Sequence, residues 1–154
     1  MRKPRIYIDT SVIGGCFDSE FAEWSNKLFD EISKGLITAV ISDVVLEELD
    51  GASENIQDVI KSIPDSNLEI ISTNEECEFL ASKYIEANAV SKKFSDDALH
   101  IAIATITGAD VLVSWNFKHI VNYNRILKYN AINLINGYKT IEIRSPREVL
   151  SYDE

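Results

Sequence analysis

The stretch RIYIDTSVIGG, residues 5–15, places a run of strand-forming apolar residues directly before a carboxylate, Asp9. A carboxylate taken out of water costs several kcal/mol unless a cation or hydrogen-bond donors meet it. Asp9 is therefore either satisfied by neighbouring backbone N–H groups, as is common where strands meet turns, or it belongs to a site that holds a cation. The rest of the sequence bears on this choice.

The composition limits the class of protein. The chain has 154 residues and is 45% hydrophobic, which predicts a single domain over residues 1–154 with a substantial core. Asp9 cuts the N-terminal apolar run short, so we expect neither a secretory signal nor a membrane span, and we expect a cytoplasmic protein. Cys16 and Cys77 form no CxxC pair and are expected to be reduced thiols. A formal net charge of −10 disfavours nucleic-acid binding through a basic surface, but it leaves room for a metal-filled acidic pocket.

Strand-like and helix-like segments alternate along the chain, which predicts an α/β fold around a parallel sheet. Strands are predicted over 5–9, 36–42, 68–72, 110–116 and 139–145, and helices over 21–33, 43–51, 53–63, 74–89, 95–108, 119–136 and 145–150. No GxSxG elbow, phosphate-binding GxxxxGK[ST] loop or HExxH helix is present, which disfavours the hydrolases and nucleotide-binding proteins that use them.

Six polar residues lie at the ends of predicted elements. Asp9 and Asn116 close the first and fourth strands, Glu47 and Glu48 follow the second strand, and Asp96 and Asp97 open the helix that precedes the fourth strand. Because the carboxyl ends of parallel strands share one edge of a sheet, we expect these side chains to converge there. Crowded carboxylates repel one another and need positive charge between them, and a hard cation such as Mg²⁺ prefers oxygen ligands. The chemistry that this arrangement predicts is metal-assisted phosphodiester hydrolysis.

Four motifs, YIDTSVI, SDVVLEEL, DDALHIAIATITGADVLVSWN and IRSPREVL, occur in this chain in the order and spacing found in PIN-domain proteins. The chain most closely resembles the VapC-type toxin ribonucleases of prokaryotic type II toxin–antitoxin pairs, and the resemblance covers essentially its whole length. It implies a three-layer α/β/α domain with a mainly parallel sheet and a Mg²⁺- or Mn²⁺-dependent endoribonuclease that cleaves RNA. It also implies a cognate antitoxin protein as partner and a homodimer.

The resemblance further implies that Asp9, Glu48 and Asp97 hold the metal, while Ser11 and Asn116 orient water or ligands. Possible secondary residues are Thr10, Glu47, Asp96 and His119. His119 stands where many relatives have an aspartate, and imidazole suits borderline metals better than Mg²⁺, so Mn²⁺ is better tolerated there. This departure supports an alternative function, namely a catalytically impaired PIN-fold module that binds RNA or has a regulatory role.

Several of these residues also have simpler interpretations. Thr10 and Ser11 suit the N-cap of a helix, and Asp96 suits the positive end of a helix dipole. His100 is expected to be a packed or surface histidine, as is His119. Trp115 suits a core position, although its place beside the predicted rim also allows it to stack on a base.

Overall fold

The computed structural model describes residues 2–150, whose strands form a five-stranded sheet. In chain order the strands are β1 (Arg5–Ile8), β2 (Thr38–Ser42), β3 (Leu68–Ile71), β4 (Val111–Val113) and β5 (Glu142–Arg144). All neighbours pair in parallel, in the order β3-β2-β1-β4-β5. β1 lies at the centre, where Tyr7 aligns with Val40 on one side and with Leu112 on the other.

The helices of the described chain are α1 (Thr10–Gly15), α2 (Ala22–Ser33), α3 (Asp43–Leu49), α4 (Glu54–Lys61), α5 (Glu75–Glu86), α6 (Ser95–Ile106), α7 (Tyr123–Ile135) and α8 (Pro146–Val149). Single 3-10 turns occur at Asp65–Asn67 and Lys92–Phe94. Parallel strands need crossover connections, and these helices supply them and cover the sheet. The prediction of a three-layer α/β/α fold with a parallel sheet is confirmed.

The centre of the sheet is buried on both faces. Ile6, Tyr7 and Ile8 of β1 are at most 3% exposed. Burial on both faces explains why the central strands β1, β2 and β4 are largely continuous apolar runs rather than alternating ones. At the amino end of β1, Arg5 donates two hydrogen bonds to the Glu69 carboxylate of β3 and others to the carbonyls of Thr107 and Gly108. This guanidinium therefore ties together the sheet and the end of α6.

The structure differs from the sequence predictions mainly around Asp9. No helix was predicted between 9 and 21, but α1 begins immediately after Asp9, whose side chain accepts a hydrogen bond from the N–H of Val12 as the N-cap. Asp9 is therefore the N-cap of this helix, in place of Thr10 or Ser11, for which helix capping was one of the interpretations considered. The fourth strand, predicted over 110–116, ends at Val113. Beyond it the Ser114 hydroxyl binds Asp9 and accepts the N–H of Asn116, while the N–H of Trp115 binds Ser11.

Cys16 and Cys77 are free and buried, as predicted. None of the helices within residues 2–150 is long and apolar enough to cross a membrane. The predicted domain of residues 1–154 includes Met1 and residues 151–154, which lie outside the described residues, and its extent stays a prediction.

Candidate active site

Asp9 lies at the carboxyl end of the central strand and is only 4% exposed. Its Oδ1 accepts hydrogen bonds from Ser11 Oγ at 2.7 Å and from the Val12 N–H at 3.3 Å. Its Oδ2 accepts one from Ser114 Oγ at 2.5 Å. Burial raises the pKa of Asp9, while the charge of His100 and these donors oppose the rise. Backbone and hydroxyl donors thus meet this carboxylate, but they do not supply positive charge.

Glu48 reaches the same edge of the sheet from α3, which follows β2. Its Oε1 accepts a hydrogen bond from Thr10 Oγ1 at 3.0 Å and lies 2.6 Å from His100 Nε2. Burial alone would raise the pKa of Glu48, but the hydrogen bond and charge of His100, together with Thr10, bring it below its ordinary value. The side chain is 32% exposed, so Glu48 sits at the mouth of the site.

His100 connects Glu48 to the interior of the sheet. Its Nδ1 lies 2.7 Å from the Tyr7 hydroxyl, which lies 2.7 Å from Ser42 Oγ. Although burial lowers the pKa of His100, Glu48 and the nearby charges of Asp9 and Asp97 raise it overall. The carboxylates therefore favour the protonated form of this imidazole. His100 is packed, as expected, but sequence reasoning missed its contact with Glu48.

Asp97 begins the third acidic element, at the start of α6. Its Oδ2 accepts a hydrogen bond from Asn116 Nδ2 at 3.3 Å. Burial raises the pKa of Asp97 to about 6; the charges of Asp9 and Glu48 add to this rise, while His100 and Asn116 oppose it. Asp97 is thus close enough to the other carboxylates to feel their charge. Its own hydrogen bond joins it to the loop after β4.

Ser114 joins Asp97 and Asn116 to Asp9, and sequence reasoning did not single it out. Its Oγ donates to Asp9 and accepts the Asn116 N–H at 2.9 Å. One signal was available, because a hydroxyl residue two positions before Asn116 points to the same side of an extended chain. Ser11 makes a parallel link, since its Oγ accepts the N–H of Trp115 at 2.9 Å.

Three of the secondary candidates have side chains outside this network. Glu47 and Asp96 are exposed, because consecutive residues of a helix point about 100° apart and their neighbours Glu48 and Asp97 face the site. The His119 ring stacks on Phe94 with centroids 3.9 Å apart, and only its backbone N–H binds Asn116. The His119 Nδ1 has no hydrogen-bond partner within the described chain. Burial lowers the pKa of His119, and the charges of Arg125 and Lys118 add to the effect.

The side chains at this edge of the sheet offer mainly oxygen atoms as ligands for a divalent cation. In residues 2–150 no three His, Cys, Asp or Glu side chains stand together in a way that could already hold a metal ion. The carboxylates are nevertheless electrostatically coupled, since the charges of Asp9 and Glu48 add to burial in raising the pKa of Asp97. Carboxylate, hydroxyl and amide oxygens are the donors that Mg²⁺ and Mn²⁺ prefer. The chemistry of these residues therefore fits a hard cation.

Solved structures of two toxin systems have a similar fold. The VapC20 toxin of Mycobacterium tuberculosis, described as cleaving the sarcin-ricin loop, aligns with a TM-score of 0.58 and 12% identity over 74% of this chain and 92% of that one. VapBC2 from Rickettsia felis, bound to a DNA fragment from its promoter, aligns with a TM-score of 0.57 and 18% identity over 92% of this chain and 98% of that one. At these identities the likeness shows the fold alone.

Comparison with curated proteins finds no significant match. The PIN domain family model, however, matches residues 6–119, a range that contains all the hydrogen-bonded carboxylates and hydroxyls described above. This match confirms the resemblance to PIN-domain proteins that the four sequence motifs indicated. The chain belongs to the PIN domain family.

Proposed function

We propose that this protein is a metal-dependent endoribonuclease that hydrolyses RNA phosphodiester bonds in the cytoplasm as the toxin of a type II toxin–antitoxin pair. One observation carries the proposal. Asp9, Glu48 and Asp97 come from three separate elements, yet they are close enough that Asp9 and Glu48 help to raise the pKa of Asp97 to about 6. Such crowding is costly without a cation, and family membership supports nuclease chemistry at this edge of the sheet.

The chain's own residues would hold and orient the cation. Ser11 and Ser114 fix Asp9, while Thr10 and His100 fix Oε1 of Glu48. Within the described residues Oε2 of Glu48 and Oδ1 of Asp97 accept no hydrogen bond, so these oxygens are available as ligands. Asn116 orients Asp97 through its amide. A bound Mg²⁺ or Mn²⁺ supplies a water of lowered pKa and stabilises charge on the phosphate.

The partners in this proposal are RNA, a cognate antitoxin protein that covers the acidic site, and a second copy of the chain. The Rickettsia felis neighbour, VapBC2, supports the antitoxin. The homodimer rests on the sequence resemblance.

Cleavage of structured RNA tests the proposal, with Mg²⁺, with Mn²⁺ and with EDTA. We expect the wild type to cleave only with metal, and Asp9→Asn and Asp97→Asn to lose activity. The chain offers matched controls, because Asp96→Asn and Glu47→Gln remove exposed carboxylates next to Asp97 and Glu48 and should leave cleavage intact. Equal cleavage by wild type and Asp9→Asn would overturn the assignment to this site.

A second candidate is the impaired module that binds RNA or regulates without turnover. Two observations favour it: no ready-made three-residue metal group stands among residues 2–150, and the His119 ring packs on Phe94. RNA binding by the wild type without cleavage in either metal would establish this function instead.

A further inference from the structure

The loop after β4 has two different sides. Ser114 and Asn116 bond to the candidate active site, whereas the alternate residues Trp115 and Phe117 line a separate cavity. That cavity has a volume of about 270 Å³, and its other walls are Glu20, Phe21, Trp24, Ser145 and Arg147. Because Ser114 and Trp115 are consecutive residues, the cavity and the candidate active site share the loop after β4.

The back of this cavity is rigid. The Trp115 ring stacks on Phe21 with centroids 4.3 Å apart and planes 18° apart, and its Nε1 donates to Ser25 Oγ at 2.9 Å. Gly15 of α1 lies against the same ring, since a Cβ at Gly15 would come within 2.8 Å of Trp115 Nε1. The helix that Asp9 caps therefore also holds this aromatic wall in place.

Phe117 forms the exposed side of the cavity. Phe117 is 49% exposed, and its ring lies 6.1 Å from that of Trp115 at an angle of 63°. The Arg147 guanidinium lies 5.3 Å from the Trp24 ring centroid, which brings a cation to the same rim. An exposed aromatic ring beside a fixed aromatic wall and a guanidinium is the chemistry that binds single-stranded nucleic acid.

We propose that this cavity is a subsite for one nucleobase of an RNA strand, next to the phosphate at the acidic residues. The base stacks on Phe117, and Arg147 contacts the adjoining phosphate. The proposal deepens the proposed function and rests on it for RNA as the ligand. A chain of net charge −10 gains little affinity from non-specific phosphate contacts, so we expect base stacking to contribute most to binding of the RNA strand at this cavity. The volume is below the ~300–1,000 Å³ of drug-sized sites, which suits a single base.

Intrinsic fluorescence reports on this cavity directly, because both tryptophans of the chain, Trp24 and Trp115, line it. The protein is titrated in EDTA, where no cleavage is expected, with a short single-stranded RNA and with an abasic oligonucleotide of equal length. We expect saturable quenching by the RNA and much weaker quenching by the abasic strand. Equal quenching by the two strands, or none by the RNA, would overturn the subsite.

Two single-residue variants test whether RNA affinity depends on the wall of this cavity. Phe117→Ala should raise the dissociation constant for the RNA about 5- to 150-fold, the range expected for one lost stacking contact. Tyr123→Ala, which removes another exposed ring that is not part of the cavity wall, should leave the constant unchanged. An unchanged constant in Phe117→Ala overturns the subsite. If Phe117→Ala also abolishes self-association in sedimentation experiments, the surface around Phe117 is an interface between two copies of the protein, and the subsite is overturned.

A separate cleavage assay with Mn²⁺ distinguishes the two proposals. Cleavage by the wild type without base-dependent quenching refutes the subsite and leaves the nuclease standing. Base-dependent quenching that Phe117→Ala weakens, without cleavage, supports the subsite and refutes the nuclease.

Discussion

His100 Nε2 lies 2.6 Å from Oε1 of Glu48, so a buried imidazole directly holds a candidate metal ligand. Thr10 donates to the same oxygen, so Oε2 is the oxygen that accepts no hydrogen bond within the described residues. The Tyr7 hydroxyl, 2.7 Å from Nδ1, fixes the other side of the ring. Groups that orient a ligand in this way influence metal affinity without touching the ion.

We expect His100→Gln to weaken Mn²⁺ binding by about 10- to 100-fold, the usual effect of removing a residue that orients a ligand. Titration of the folded variant with Mn²⁺, followed by electron paramagnetic resonance, measures this directly. Lys128→Gln, on the exposed surface of α7, serves as the control. Tighter Mn²⁺ binding by His100→Gln would instead show that the imidazole acts mainly as a cation that competes with the metal.

In the absence of metal, the pH dependence of the free energy of unfolding should reflect the titration of Asp97. Burial raises the pKa of Asp97 from 3.8 to about 6, so the folded state binds a proton in this window that the unfolded state has lost. By linkage, this residue's contribution to the free energy of unfolding falls as pH rises from about 4 to 6. In EDTA, Asp97→Asn should therefore gain stability over the wild type as pH rises through that window. Denaturant unfolding measures the difference, and Asp96→Asn should show no such trend.

Divalent cations should stabilise the wild type. A ligand that binds only the folded state, at about 100 times its dissociation constant, adds about 2.7 kcal/mol to the free energy of unfolding. Thermal unfolding with Mg²⁺, Mn²⁺ or EDTA should show this gain in the wild type and in Asp96→Asn. Asp9→Asn and Asp97→Asn should lose it. A gain that persists in both would place the ion elsewhere on the molecule.

Arg5→Lys should reduce stability without affecting the site. The guanidinium makes two 2.9 Å bonds to Glu69, and a lysine cannot reproduce this paired geometry. We expect a loss of about 1–3 kcal/mol in the free energy of unfolding, measured with urea. Mn²⁺ affinity should be unchanged, because Arg5 lies at the amino end of β1 and Asp9 follows its carboxyl end. A matching loss of affinity would show that the two ends of the strand are coupled.

The topology of a parallel sheet predicted the edge at which Asp9, Glu48, Asp97 and Asn116 lie, whereas the choice of Glu48 over Glu47 and of Asp97 over Asp96 rested on the resemblance to PIN-domain proteins. The roles proposed for these residues stay predictions. Helix α1 was missed because it is only six residues long and ends in two glycines, which are poor helix formers. Its formation depends on the Asp9 cap and on packing around Gly15.

The contact between His100 and Glu48 could not be predicted, because it depends on how α3 packs against α6. Trp115 is buried, as its expected core position requires, but the exposure of Phe117 two residues later was not predicted. Such choices are made by tertiary packing rather than by local pattern.

The central position of β1 affects the order of events during synthesis. Residues 5–8 are synthesised well before residues 111–113, which form the hydrogen bonds along one edge of this strand. At about 5–20 residues per second, that delay is on the order of 5–20 s. During this time the nascent chain presents an unpaired apolar strand, a natural target for chaperones. Asn116 of the candidate site follows β4, so this edge of the sheet is complete only after residues 111–113 have been synthesised.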